Sequence, residues 1–360
     1  MTQDKFVLKN FINDPDNGEF SWESPSNIAL VKYWGKNNNQ IPKNSSISFT
    51  LNKCVTITTL KFNKKSKKDN ALSFQVYYDN KLSVNFRPKI RTFLDRILIY
   101  CPFLSDYDFD INTVNSFPHS SGIASSASGM SALALCIMSI ERLVNPKTSD
   151  EYFYNKASFL ARLGSGSACR SVSGSINLWG KHDSFSTSSD LFSISYPKYV
   201  DPIFFNYHDA ILLVDKGQKV VSSTLGHELM NNHVFSTQRF ELAQNNIDLL
   251  SVILETGNID EFIELVESEA LMLHGLMMTS DPSYILLKPN TIEIINRVQN
   301  YRKSNHIPIC FTLDAGANLH LLFPDSCSEK AYKFIDSELK YLCENNSYIK
   351  DTVGFGAKQL

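Results

Sequence analysis

The run from residue 107 to 143 restricts this chain most. A strand-like segment, Tyr107–Val114, leads into a loop of small residues, Asn-Ser-Phe-Pro-His-Ser-Ser-Gly-Ile-Ala-Ser-Ser-Ala-Ser-Gly (115–129). The loop enters Ser128–Leu143, which is small or apolar nearly all round. Such a helix has to be buried. Gly122 can take a positive φ and lets backbone approach a ligand closely. The free N–H groups at a helix start suit an anion, and Ser125 and Ser126 add hydroxyl donors. Two readings fit the residues: a phosphate cradle, without the GxxxxGK[ST] of a Walker loop, and a serine-rich loop that caps a core helix.

The remaining pattern mixes strands and helices without strict alternation, so α+β is favoured over a doubly wound sheet. Residues 1 to about 23 read as a polar leader with a turn. Strands are expected at Ser46–Leu51 and Cys54–Phe62, split at Asn52-Lys53, and then at Leu72–Tyr78, Ser173–Gly180 and Leu191–Tyr196. Lys64, Lys65, Lys67 and Lys68 read as a solvated hairpin loop. Helices are expected at Ile90–Tyr100, with Pro88 near its first turn, and at Asp150–Leu163. The segment from Pro197 to Pro202 reads as a connector, which divides the chain into 1–203 and 204–360. The second half reads as a strand at Ala210–Val214 and a helix from Ser236 to Thr256 closed by Gly257. The next helix is opened by Asn258 and Glu261, and a shorter one follows Pro289. Strands at Ile309–Leu313 and Leu319–Phe323 and a last helix at Ser328–Leu342 complete it.

Composition narrows the function class. Among 360 residues, 35 Lys and Arg stand against 37 Asp and Glu. That balance argues against a dedicated nucleic-acid or membrane-surface binder and leaves room for a local basic pocket. No apolar run reaches the roughly 18 residues of a membrane span. Seven scattered cysteines without a CxxC pair fit neither a disulfide framework nor a zinc site. They read as reduced thiols of a cytoplasmic protein.

Three further stretches carry candidate chemistry. Gly164-Ser165-Gly166-Ser167-Ala168-Cys169-Arg170-Ser171 joins hydroxyl donors to one fixed cation, either an anion site or a tight turn with a surface arginine. Cys169 has no histidine placed beside it by sequence and reads as a small buried thiol. Asn27 to Lys36 puts Lys32, Tyr33, Trp34, Gly35 and Lys36 at the end of a strand, as a site or as an ordinary amphipathic strand. Phe311-Thr312-Leu313-Asp314-Ala315-Gly316-Ala317-Asn318 sets an acid before a glycine turn, so Asp314 is either a turn former or a site carboxylate.

Together, Ser24–Lys36 with Pro42–Ser48, Gly122–Gly129 behind Phe117-Pro118, the Gly-Ser-Gly-Ser-Ala-Cys-Arg-Ser run, Val221–Thr224 and Asp314-Ala315-Gly316-x-Asn318 resemble the signatures of diphosphomevalonate decarboxylases, in family order. The resemblance implies a two-domain GHMP kinase-like fold: an N-terminal ribosomal protein S5 domain 2-like half and a C-terminal ferredoxin-like α/β sandwich. It implies ATP-dependent decarboxylation of (R)-5-diphosphomevalonate, with ATP and Mg2+ as cofactors and a homodimeric state. Asp314, Arg170 and Lys32 are then expected to be catalytic. The substrate would meet Tyr33, Trp34, Gly35, Lys36, Ser165, Gly166, Ser167, Ala168, Cys169, Arg170, Ser223 and Thr224. ATP would meet Pro118, Ser121, Gly122, Ala124, Ser125, Ser126 and Ser128, with Mg2+ carried on ATP and Ser126 its one candidate protein ligand. A related kinase or decarboxylase acting on mevalonate or its 5-phosphate is the nearest rival, and a non-catalytic GHMP-fold binding protein is the rival from another class. Two departures stand out. Asn37-Asn38 replaces the family's Arg-Asp, and the substrate-binding arginine near residue 90 is left open among Arg87, Lys89 and Arg91.

Overall fold

A computed structural model describes residues 3–67, 69, 71–118, 123–215, 217 and 221–360. Two sheets organise them. The elements run β1 (Asn17–Ala29), β2 (Ser46–Lys64), β3 (Ser73–Tyr78), β4 (Lys81–Leu82), α1 (Arg87–Ile97), β5 (Tyr107–Asn115), α2 (Ser125–Val144), α3 (Asp150–Gly164), β6 (Ile176–Trp179) and β7 (Ile194–Ser195). They continue as β8 (Tyr207–Leu212), α4 (Ser223–Leu229), α5 (Ser236–Thr256), α6 (Ile259–Met278), α7 (Pro289–Asn305), β9 (Cys310–Leu313), β10 (Leu319–Pro324), α8 (Ser328–Phe334), β11 (Tyr348–Thr352) and β12 (Lys358–Gln359).

The first sheet follows the order β12-β1-β2-β5-β3-β4, with β6 on the other end of β2 and β7 beyond it; the second follows β11-β8-β10-β9. Packing explains the alternation along β8. Ala210 and Leu212 enter the core under α7 and α8, while Ile211 and Leu213 enter a core shared with the first sheet. A third core holds α1, α2 and α3 against the other part of the first sheet. α2 is buried as expected. By length and hydropathy it would also pass as a membrane span, contrary to the reading from sequence, but most of it lies inside this core.

Other expectations need correction. The leader is not a free polar segment: Phe6 stacks on Phe159 at 4.5 Å between ring centroids, and β1 already begins at Asn17. Asn52-Lys53 does not turn, because β2 is continuous for 19 residues. The Asp351 carboxylate accepts the N–H groups of Asn52, Lys53 and Cys54 at 3.0, 2.8 and 2.7 Å, so a distant acid satisfies the backbone where a turn was expected. The lysine-rich segment is no hairpin, since β5 lies between β2 and β3 and runs parallel to β3. Within Leu191–Tyr196 only Ile194–Ser195 pairs. Ser328–Leu342 tightens and loosens through α, π and 3-10 turns. β11 pairs with β8 and β12 with β1, two strands that the sequence pattern does not mark. The helix punctuation held: Gly257 closes α5 at φ 70°, and the Asn258 side chain accepts the Glu261 N–H.

Candidate active site

The β1–β2 connection, the first turn of α2, the turn after α3, the start of α4 and the turn after β9 converge on one cavity of about 380 Å³. From the sequence candidates, Lys32, Tyr33, Trp34, Lys36, Ala124, Ser125, Ser126, Ser165, Gly166, Ser167, Arg170, Ser223, Thr224 and Asp314 line it. Gly35, Ala168, Cys169 and Ser128 do not. Gly35 is structural: at φ 100° a Cβ would meet the Phe240 ring at 2.8 Å. Ala168 and Cys169 are buried below the wall, and burial pushes the Cys169 thiol up to about 12. Ser128 is buried against Thr56 at 2.6 Å. Pro118 is exposed and does not line the cavity, and Ser121 and Gly122 lie outside the described residues. Among the three cations left open near residue 90, Lys89 lines the cavity, whereas Arg91 pairs with Asp95 at 3.0 Å and Arg87 lies over the Phe74 ring.

The cavity's charges are unbalanced. Among the described residues Asp314 is its one lining acid, and Lys32, Lys36, Lys89 and Arg170 are cations. Lys32 Nζ lies 3.2 Å from Asp314 Oδ1, the lysine fully buried and the carboxylate partly open to the cavity. Burial would raise the Asp314 pKa, but Lys32, then His320 and Arg170, outweigh it and hold the carboxyl below its ordinary value. Burial lowers the Lys32 pKa, opposed chiefly by Asp314. The Arg170 guanidinium donates to neutral partners, Asn27 Oδ1 at 3.1 Å and Ser46 Oγ at 2.7 Å, so its fork is aimed without being neutralised. α2 adds to this field. Its N-cap residue is Ala124, in the left-handed region at φ 47°, and it brings no side-chain oxygen to the first-turn amides.

Several residues that hold the site escaped the reading of the sequence. Glu269 of α6 accepts the Lys32 N–H at 2.8 Å, two donors of Arg239 at 2.8 and 2.7 Å, and Asn246 at 2.6 Å. Arg239 in turn donates to the Lys32 carbonyl at 3.0 Å, so this buried pair brackets the lysine's backbone. His227 of α4 lies 4.4 Å from the Tyr33 ring and 4.6 Å from Trp34, and its Nδ1 accepts the Gly35 N–H at 2.9 Å. Burial, with Lys36 and Arg170 nearby, takes its pKa down to about 3. His274 of α6 lies 3.2 Å from the Asp314 carbonyl, and burial takes it to about 4. Glu269 is in phase with Phe262, Val266, Ala270, Leu273 and Met277 on the buried stripe of α6, a signal that periodicity offers. His227 lies in a short helix with no such pattern.

Residues 24–190 match the family model of the diphosphomevalonate decarboxylase-like N-terminal domain, and residues 210–357 match that of the mevalonate 5-diphosphate decarboxylase C-terminal domain. The chain belongs to the diphosphomevalonate decarboxylase family. A curated family member from Ganoderma lucidum is 26% identical over 352 residues, covering 93% of this chain and 84% of its own. Among solved family structures, MDDEF in complex with MVAPP, AMPPCP and magnesium superposes with a TM-score of 0.81 at 25% identity, covering 96% of this chain and 99% of that one. The enzyme from Staphylococcus aureus gives the same TM-score and identity, with 96% and 98% covered. The two-domain α+β fold expected for the family is therefore the observed one.

Proposed function

We infer that the chain catalyses ATP-dependent decarboxylation of (R)-5-diphosphomevalonate to isopentenyl diphosphate, ADP, phosphate and carbon dioxide. The observation that carries this reading is the Asp314 carboxylate, paired with Lys32 and, among the described residues, the one acid in a cavity whose other charged side chains are cations. The substrate is a carboxylate and a diphosphate, ATP is a polyanion, and the reacting group is a tertiary alcohol. The residues fit both anions: Arg170 keeps an unneutralised fork, and Ser125 and Ser126 stand in the first turn of α2. A second, apolar cleft beside Ser126, lined by Tyr78, Phe86, Ile90 and Met130, suits the adenine ring. Bound Mg2+ supplies neutralisation of the ATP phosphates. Among the described residues no three His, Cys, Asp or Glu side chains cluster as a metal cage; the ion would be carried on ATP, and the Ser126 hydroxyl, which lines the cavity, is the protein donor that would hold it.

Asp314 accepts a hydrogen bond from the C3 hydroxyl and aims its oxygen at the γ-phosphoryl group. A carboxyl held below its ordinary value is a weak base. That is enough for a loose phosphoryl transfer, where positioning matters more than early proton removal. The C3–O bond then breaks with phosphate leaving, the C1–C2 bond breaks with carbon dioxide leaving, and its electron pair becomes the C2–C3 double bond. Arg170 holds the C1 carboxylate, and Lys36 and Lys89 at the mouth face the diphosphate. The seven unpaired cysteines support a cytoplasmic site of action. The exposed stripe Leu242, Leu249 and Val252 on α5 offers a face for a homodimer. Incubation with ATP, Mg2+ and each of mevalonate, its 5-phosphate and its 5-diphosphate, scoring ADP and carbon dioxide separately, tests the reading. Equal amounts of both are expected from the 5-diphosphate alone; ADP without carbon dioxide would reassign the chain as a kinase.

A further inference from the structure

The second sheet turns an apolar face towards the first, yet a polar row crosses it. Asp351 on β11 pairs in register with Asp209 on β8. Asp209 lies diagonal to His320 on β10, and His320 stands opposite Thr312 on β9, two residues before Asp314. These residues therefore share one face, with the neighbouring Ile211 and Leu322 in the core between the sheets. His320 Nδ1 lies 2.7 Å from Asp209 Oδ2, and both side chains are buried. Asp209 Oδ1 and Thr312 Oγ1 are buried without a protein partner. A buried acid and imidazole in an otherwise apolar strand cost stability, and their row ends at Thr312, two residues before the reacting carboxylate.

We propose that the Asp209–His320 pair is a positioning dyad for Asp314, fixing its charge and orientation from behind while Lys32 does so from the front. The inference rests on the decarboxylase reading of this cavity. The other ionisable groups around His320 are already committed. Asp351 is engaged by three backbone N–H groups of β2. The Cys54 and Cys310 thiols are held neutral by burial. On α6, Glu267 pairs with Arg302 and Glu269 with Arg239, and His274 is pushed down to about 4. That leaves the imidazole, with Lys32 and Arg170, to offset the burial of Asp314. Sequence pattern marks the position too, since Leu319–Phe323 is otherwise apolar at every residue.

His320→Gln and Asp209→Asn each break the pair behind Asp314 while keeping a hydrogen-bonding side chain of similar size. The expected result is kcat reduced about 3- to 10-fold at neutral pH, KM for both substrates within about 3-fold, and the acid limb of the kcat profile moved up by about half a pH unit or more. Carboxyl 13C NMR, with Asp314→Asn to identify the resonance, reads the same upward shift of Asp314 without turnover. A merely structural pair would lower the melting temperature and leave both titrations where they were. An unmoved Asp314 titration in either folded variant overturns the dyad. A wild-type enzyme that releases no carbon dioxide overturns the decarboxylase reading instead, and the NMR titration still decides the dyad.

Discussion

Glu269→Gln removes a charge from the buried bracket around Lys32 and keeps its shape. The wild-type carboxylate accepts from Lys32, Arg239 twice and Asn246. A glutamine offers one carbonyl oxygen to those four donors and sets its own NH2 against at least one of them. Arg239, itself buried, then has no anion. Removing one partner of a buried, hydrogen-bonded pair costs about 3–5 kcal/mol, and the geometry here is bidentate, so the loss should fall in that range. Guanidinium unfolding followed by fluorescence reads it as a lower midpoint with an unchanged slope. The Lys32 peptide is released at the same time, so kcat should fall as well. Adding Arg239→Met removes the stranded cation and should recover at least about 1 kcal/mol, a coupling that a double-mutant cycle isolates. A Glu269→Gln protein that loses under about 1 kcal/mol and keeps its kcat would refute the bracket.

Two other outcomes follow from the site. Arg170→Lys keeps the charge and loses the fork aimed by Asn27 and Ser46, and kcat/KM should fall by about 2–4 kcal/mol of transition-state stabilisation; steady-state kinetics with a near-normal kcat/KM would move the C1 carboxylate elsewhere. His227 and His274 have folded pKa values of about 3 and 4, below the ordinary 6.5. The unfolded chain therefore binds more protons between those values, and stability is fully present above about pH 6.5 and lost as pH falls towards 4, by about 1.4 kcal/mol per pH unit for each histidine. Unfolding midpoints measured from pH 4.5 to 7.5 should rise with pH, with a shallower rise in His227→Gln.

How much of this was legible depends on range. The small-residue loop, the core helix behind it and the Gly257 and Asn258 caps are local signals, and the sequence carries them openly. Asn52-Lys53 misled because its backbone partner, Asp351, lies 299 residues from Asn52 along the chain. The early residues looked polar in aggregate, yet Phe6 and Leu8 are buried in the core that holds α3, with Phe6 stacked on Phe159. Lys32 read equally well as a solvent-facing strand lysine; only the fold buries it against Asp314, 282 residues away. Glu269 was visible as an acid in phase with an apolar stripe, and His320 as one polar residue in an apolar strand. What neither pattern states is which distant group each one meets.

The central claim is that Asp314 is a reacting-centre carboxylate, and Asp314→Asn tests it most directly. Asparagine is nearly isosteric and still forms the turn, so substrate and ATP affinity should stay within a few fold, while the buried Lys32 loses its anion and the melting temperature should fall without loss of the fold. Carbon dioxide release from 5-diphosphomevalonate, measured alongside ADP, should fall by about 10²–10⁴-fold. A folded Asp314→Asn enzyme releasing carbon dioxide at close to the wild-type rate would contradict the account.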